Sequence, residues 1–169
     1  SGIQNGLILN NLHGFKVYMS NQASKKVSEV LNSGYIGQGP KVNEFESNLK
    51  EWLQHDYLLT TNAATSAEHL ALHMLKTPYE KWSGIKEGEE VLCTPLTCTA
   101  TNFPVLANRL KIKWVDVDEN NLNMDLDDLE RKLSPTTKII YVVHWGGYPL
   151  DLNRLKQIQE KCLNYFHQH

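Results

Sequence analysis

The run Asn62-Ala63-Ala64-Thr65-Ser66-Ala67 puts small side chains and two hydroxyls just ahead of an apolar stretch with helical spacing, Leu70, Ala71, Met74 and Leu75. A strand that feeds directly into a helix leaves the first-turn N–H groups without partners inside the helix. Those groups also carry the positive end of the helix dipole. Ala63, Ala64 and Ser66 let a phosphate approach the backbone, and the hydroxyls of Thr65 and Ser66 add donors. The junction can therefore cradle a dianion. The same residues equally suit a plain helix start, with Asn62 as its cap and the alanines allowing close packing. On the residues alone, both readings stand.

Other candidates fall where short apolar runs end. Thr94-Pro95, Asp116-Val117-Asp118 and His144-Trp145-Gly146-Gly147 follow three such runs. In open parallel sheets, ligands bind beyond the carboxyl ends of the strands, so these segments can line one crevice; Asp116 and Asp118 can equally cap or solvate a loop. His69 and His73 stand four apart, a metal-binding spacing that lacks a third ligand. They read as a packed or solvent-facing pair, and no metal site is expected. Cys93, Cys98 and Cys162 match no zinc spacing and read as packing residues, with Cys98 near the proposed crevice. Trp52, Trp82 and Trp114 read as core or surface-packing residues.

The elements that must position these residues follow from periodicity. Ser20 to Leu31 reads as an amphipathic helix stopped by Asn32-Ser33-Gly34. Gly34-Tyr35-Ile36-Gly37-Gln38-Gly39-Pro40 is a loop, with three glycines and a proline in seven residues. Lys41 to Gln54 is a second helix, with Val42, Phe45, Leu49, Trp52 and Leu53 expected to face inward. Tyr57 to Thr61 reads as a short buried strand, followed by a helix to about Lys76 and a polar excursion containing Pro78 and Gly84. Three strand–helix units follow: Glu90–Thr94 with Thr97–Asn108, the latter interrupted by Pro104; Lys111–Asp116 with Leu126–Leu133; and Lys138–His144 with Leu152–Phe166. The alternation implies a mostly parallel sheet flanked by helices, an α/β fold. It stops where another strand is due, so the pattern reads as a fold cut in mid-alternation. Residues 1–19 read as an N-terminal arm and residues 20–169 as one domain, with no boundary inside it.

Composition limits the function classes. The 169 residues are 41% apolar and 21% charged with a net charge of −2, ordinary values for a globular protein. Without a basic block, nucleic acid is not expected as a partner. No apolar run approaches the roughly 20 residues of a membrane helix. An odd number of cysteines fits a reduced compartment, and the expected location is the cytoplasm.

Read in order, these motifs resemble a known family. Gly34-Tyr35-Ile36-Gly37-Gln38-Gly39-Pro40-Lys41-Val42 with Phe45-Glu46 resembles its N-terminal glycine-rich signature. Asn62 to Ala67, followed by Leu70-Ala71-Leu72, resembles its Asn-Ser-Gly-Thr-x-Ala phosphate turn. Glu89-Glu90-Val91-Leu92, Thr97, Ala100-Thr101-Asn102, Val115-Asp116-Val117-Asp118, Leu122-Asn123-Met124-Asp125, Pro135-Thr136-Thr137-Lys138 and His144-Trp145-Gly146-Gly147-Tyr148-Pro149 follow in the family's order. The family is the DegT/DnrJ/EryC1/StrS group of sugar aminotransferases, and the resemblance runs from about Tyr18 to Phe166.

The resemblance implies part of a fold-type-I large domain that binds pyridoxal 5′-phosphate (PLP). It also implies a homodimer and transfer of an amino group, commonly from glutamate, to a keto sugar on a nucleotide. By position, Ala64, Thr65 and Ser66 would bind the cofactor phosphate. Cys98 takes the place of the aromatic residue that stacks on the ring, and Asp116 and His144 border the site. Tyr35, Gly37 and Gln38 would lie near substrate or the partner subunit. Two departures stand out besides Cys98. Ala63-Ala64 replaces Ser-Gly, removing a hydroxyl and adding a methyl beside the phosphate. The family's aspartate for the pyridine nitrogen and its Schiff-base lysine have no counterpart here, so no catalytic residue is assigned and negligible transaminase activity is expected of this chain alone. A non-catalytic binding or partner-interaction module on the same fold is the other reading.

Overall fold

The computed structural model describes residues 18–167, with side chains through Cys162. The expected arm of residues 1–19 lies almost wholly outside the described residues. The chain divides into two compact units, residues 1–60 and 61–169.

The first unit contains α1 (Ala23–Ser33) and α2 (Pro40–Leu53). Gly34 ends α1 with a left-handed φ of 75°, its N–H donating to Leu31 O, a conformation glycine adopts without a Cβ penalty. Pro40 opens α2 in the first turn, where its missing N–H costs no helical bond. Both helices sit where the periodicity puts them, within two or three residues. Their packing does not follow the expectation: neither buries a residue, and Phe45, Trp52 and Leu53 are exposed rather than inward. An amphipathic stripe says which face is apolar; it does not supply the surface that covers it.

Tyr57–Thr61 is a second correction, because it forms no strand. Tyr57 and Leu59 are exposed. The Thr60 N–H and hydroxyl instead donate to the Glu46 carboxylate at 2.7 and 2.9 Å. A strand exists only where a neighbour takes its backbone bonds, and here a side chain takes one of them.

The second unit is a three-layer α/β/α arrangement. Its helix α3 (Ala64–Met74) precedes β1 (Glu90–Cys93), α4 (Thr99–Ala107), β2 (Lys111–Trp114), α5 (Leu126–Lys132), β3 (Thr137–Tyr141) and α6 (Leu152–His167). The strands are parallel in the order β2-β1-β3. Alternation splits the core in two. Val91 and Cys93 of β1 join Leu72, Ile85, Val105 and Leu110 on the face covered by α3 and α4. Leu92 joins Val115, Met124, Leu129, Leu150 and Ile158 on the face covered by α5 and α6. The helix after β1 runs unbroken through Pro104. Trp114, at the end of an edge strand, is 47% exposed and outside the core, whereas Trp82 is half-buried against it.

Gly84 shows why the polar excursion is shaped as it is. Its φ is 77°, and a Cβ there would lie 2.4 Å from Lys76 O, closer than any side chain tolerates. The bend returns the chain from α3 to the start of β1.

Candidate functional site

Ala63 ends the approach to α3 with extended backbone, φ −157° and ψ 152°. Its carbonyl accepts from Ser66 N–H at 3.1 Å and Ala67 N–H at 3.2 Å. The N–H groups of Ala64 and Thr65 donate to no acceptor among the described residues. Asn62 does not cap them: its side-chain oxygen accepts from the Ser66 hydroxyl at 3.0 Å. Ala63 and Ala64 are exposed and Thr65 is half-buried. The helix thus opens with two unspent donors at its positive end, accessible to an anion. Ala64 is the first helical residue, and neither alanine has a positive φ. Replacing Ser-Gly by Ala63-Ala64 therefore does not strain the turn.

The sheet brings the other candidates to the same side. In parallel strands all carboxyl ends share one edge. Cys98 follows β1, Asp116 follows β2 and His144 follows β3. β1 leads to α4 on one face, while β3 leads to α6 on the other. Loops that leave neighbouring strands toward opposite faces open a crevice between them. By that rule Cys98 lies between His144 after β3 and Asp116 after β2, because β2 leads to α5 on the same face as α6. Cys98 is the exposed N-cap residue of α4. Cys93, by contrast, is a core residue whose thiol burial pushes up to about 12, which suits packing and not reactivity.

His144 is exposed, and its Nδ1 accepts from Leu150 N–H at 3.1 Å. An accepting Nδ1 carries no proton, so the ring presents a donor at Nε2. The loop that holds it is pinned from below by Asn123. This side chain is buried, accepts from Trp145 N–H at 2.9 Å and donates to Tyr148 O at 3.1 Å. Asp116 Oδ1 accepts from the next N–H, Val117, at 2.8 Å. Its own N–H donates to the buried Asp128 at 2.8 Å. That N–H, then Lys132 and Arg131, hold the Asp128 carboxyl below the ordinary carboxylate range. Asp118 closes a turn, accepting from Asn120 and Asn121, and points to structure rather than chemistry.

Asn123 and Asp128 do not stand out in the sequence reading. Asn123 had a signal, an asparagine between Leu122 and Met124. Asp128 had another, basic residues three and four places on. Among the described residues no group of three or more His, Cys, Asp or Glu could hold a metal. His69 and His73 are both exposed.

Tyr35, Gly37 and Gln38 belong to the first unit, in the connection between α1 and α2, and all are exposed. Gly37 has open space where a side chain would go. Beside the loop, a groove of about 440 Å³ is lined by Val27, Val30, Leu31, Ile36 and Phe45 together with Lys26 and Lys41.

The sequence profile described as the DegT/DnrJ/EryC1/StrS aminotransferase family matches residues 17–163. AtS13 from Actinomadura melliaura is 50% identical with a TM-score of 0.76, over 88% of this chain and 38% of its own. The sugar aminotransferase CalS13 from Micromonospora echinospora is 48% identical with a TM-score of 0.71, over 85% of this chain and 37% of its own. The spore coat polysaccharide biosynthesis protein SpsC from Bacillus subtilis (strain 168) is 32% identical over 80% of this chain and 33% of its own. The chain spans about a third of the length of these proteins.

Proposed function

The chain belongs to the DegT/DnrJ/EryC1/StrS aminotransferase family, and from that premise we propose that it is the phosphate-holding part of a PLP enzyme that aminates a keto sugar carried on a nucleotide. The observation that carries this reading is the pair of unspent N–H groups at Ala64 and Thr65, open at the start of α3 on the ligand-binding edge of a parallel sheet. A phosphate dianion is the ligand such donors suit best.

When bound, PLP supplies the electron sink that lets an amino group be exchanged between carbons. The chain's own residues do the holding. Ala64 and Thr65 N–H would donate to the phosphate, with the Thr65 hydroxyl as a further donor, whereas the Ser66 hydroxyl would have to give up its bond to Asn62 Oδ1 to join them. Cys98 and His144 border the ring's side of the crevice. His144 offers a proton at Nε2 because Leu150 N–H occupies its other nitrogen. Asp116 lines the outer strand end. By the family resemblance, Tyr35, Gly37 and Gln38 would lie near substrate or the partner subunit. Glutamate as amino donor, a homodimer and a cytoplasmic location complete the reading; the free thiols of Cys93, Cys98 and Cys162 suit a reducing compartment.

The test compares PLP with pyridoxal, which lacks the phosphate, by absorbance titration of the full-length protein. PLP should bind at least about a hundredfold more tightly, since two charge-assisted hydrogen bonds contribute about 3 kcal/mol or more together. Equal affinity for the two would remove the phosphate cradle and favour the non-catalytic binding module.

A further inference from the structure

The hydroxyl of Tyr141 is the one buried side-chain oxygen or nitrogen among the described residues that lacks a hydrogen-bond partner. Tyr141 is the last residue of β3, and its ring packs against the cluster that contains Leu72 of α3. Buried hydroxyls normally find a partner, because desolvating one without a bond is unfavourable. Glu68 stands one turn before Leu72 on the same face of α3. Its side chain is half-buried and forms no ion pair with another described residue. Burial, then the charge of Glu68, keeps the proton on the Tyr141 phenol.

The two groups complete each other. We propose that Tyr141 Oη donates to the Glu68 carboxylate and that this bond fixes α3 against the end of β3, keeping the Ala64 and Thr65 N–H groups aimed at the ligand phosphate. Both are positioning residues. The need for such a tie is visible in α3 itself, whose only buried residue is Leu72. Besides that side chain, the hydrogen bond from Asn108 Nδ2 to His69 O at 3.3 Å holds it to α4, and Trp82 Nε1 and Ile85 N–H hold its far end through Leu75 O, which leaves its first turn without such a bond. A directional bond at Glu68 lies one turn from the cradle, where a small rotation of the helix would re-aim its first amides. The positioning half of the proposal rests on the PLP reading; the bond does not.

Tyr141→Phe, Glu68→Ala, Glu68→Gln and the Tyr141→Phe/Glu68→Ala double variant of the full-length protein test both halves. The measurements are thermal midpoint and affinity for PLP and for pyridoxal. Tyr141→Phe should lower the midpoint by about 1–2 °C and weaken PLP about fivefold, with pyridoxal affinity unchanged. Glu68→Ala should match it, the double variant should add nothing further, and Glu68→Gln, which keeps an acceptor oxygen, should stay near wild type. A Tyr141→Phe variant as stable as wild type, or fully additive losses, overturns the bond. A lowered midpoint with PLP affinity intact overturns the positioning role. If wild type binds PLP and pyridoxal equally, the functional reading fails by itself, and the midpoints still decide the bond.

Discussion

Two buried polar side chains hold the loops that carry the candidate site, and each makes a distinct prediction. Asn123 gives both ends of its amide to the segment after β3. Asn123→Ala leaves Trp145 N–H and Tyr148 O without those partners and should lower unfolding free energy by about 1–3 kcal/mol, read by urea denaturation. Asp128 acts through charge. Its carboxyl lies below the ordinary range because Asp116 N–H, Lys132 and Arg131 favour the charged form. A carboxyl depressed in the folded state stabilises above its unfolded pKa of about 3.9, and that stability is lost as pH falls through the folded value. Wild type should therefore lose stability below about pH 4, and Asp128→Asn should flatten that fall while being less stable at pH 7. A variant with an unchanged pH profile would show that the carboxyl is not linked to folding. Candidates such as Ala64, Thr65 and His144 could be picked from the sequence because their types sit at strand and helix ends. Asn123 was not, since a lone asparagine between apolar residues gains meaning only when two distant backbone groups meet it.

The element that matters most is α3, and its first residue offers a clean substitution. Proline at the first helical position keeps the helix, because no intrahelical bond is lost and its φ suits the turn. The preceding residue must be extended, and Ala63 already is. Ala64→Pro should thus leave the thermal midpoint within about 2 °C while removing one phosphate donor and weakening PLP roughly tenfold. A variant that binds PLP as well as wild type would place the phosphate elsewhere. The second unit's helices and strands were legible within two or three residues, because each carries a periodic apolar face and is bounded by turn residues. The segment at Tyr57–Thr61 was misread for an identifiable reason. Apolar content marks a strand only if a neighbour is there to pair with it, and pairing is a property of the sheet. The unbroken course of α4 through Pro104 has the same origin, since core packing around Pro104 and Val105 outweighs the lost backbone bond.

At the scale of the molecule, the second unit has a buried core, whereas among the described residues of the first none is buried. Val27, Leu31, Ile36, Phe45, Trp52 and Leu53 are each at least half exposed, a concentration of apolar surface that isolated soluble chains rarely present. The sheet has an asymmetry of the same kind. Its outer strand β2 carries Lys111 and Lys113, which discourage further pairing. On the other side, β3 pairs only with β1 among the described residues and carries one lysine, Lys138, ahead of Ile139, Ile140 and Tyr141, a run that suits a strand covered on both faces. Both features call for a covering surface, and the relatives, about three times as long, are of a size to supply one. By itself, the 169-residue chain should therefore meet that need with other copies. In sedimentation it should run heavier than 19.3 kDa, increasingly so with concentration. Leu31→Glu with Phe45→Glu should shift it toward the lighter species, because a charge on each of two neighbouring apolar positions makes burial unfavourable. A species of monomer mass at every concentration would mean that these faces are satisfied within one chain.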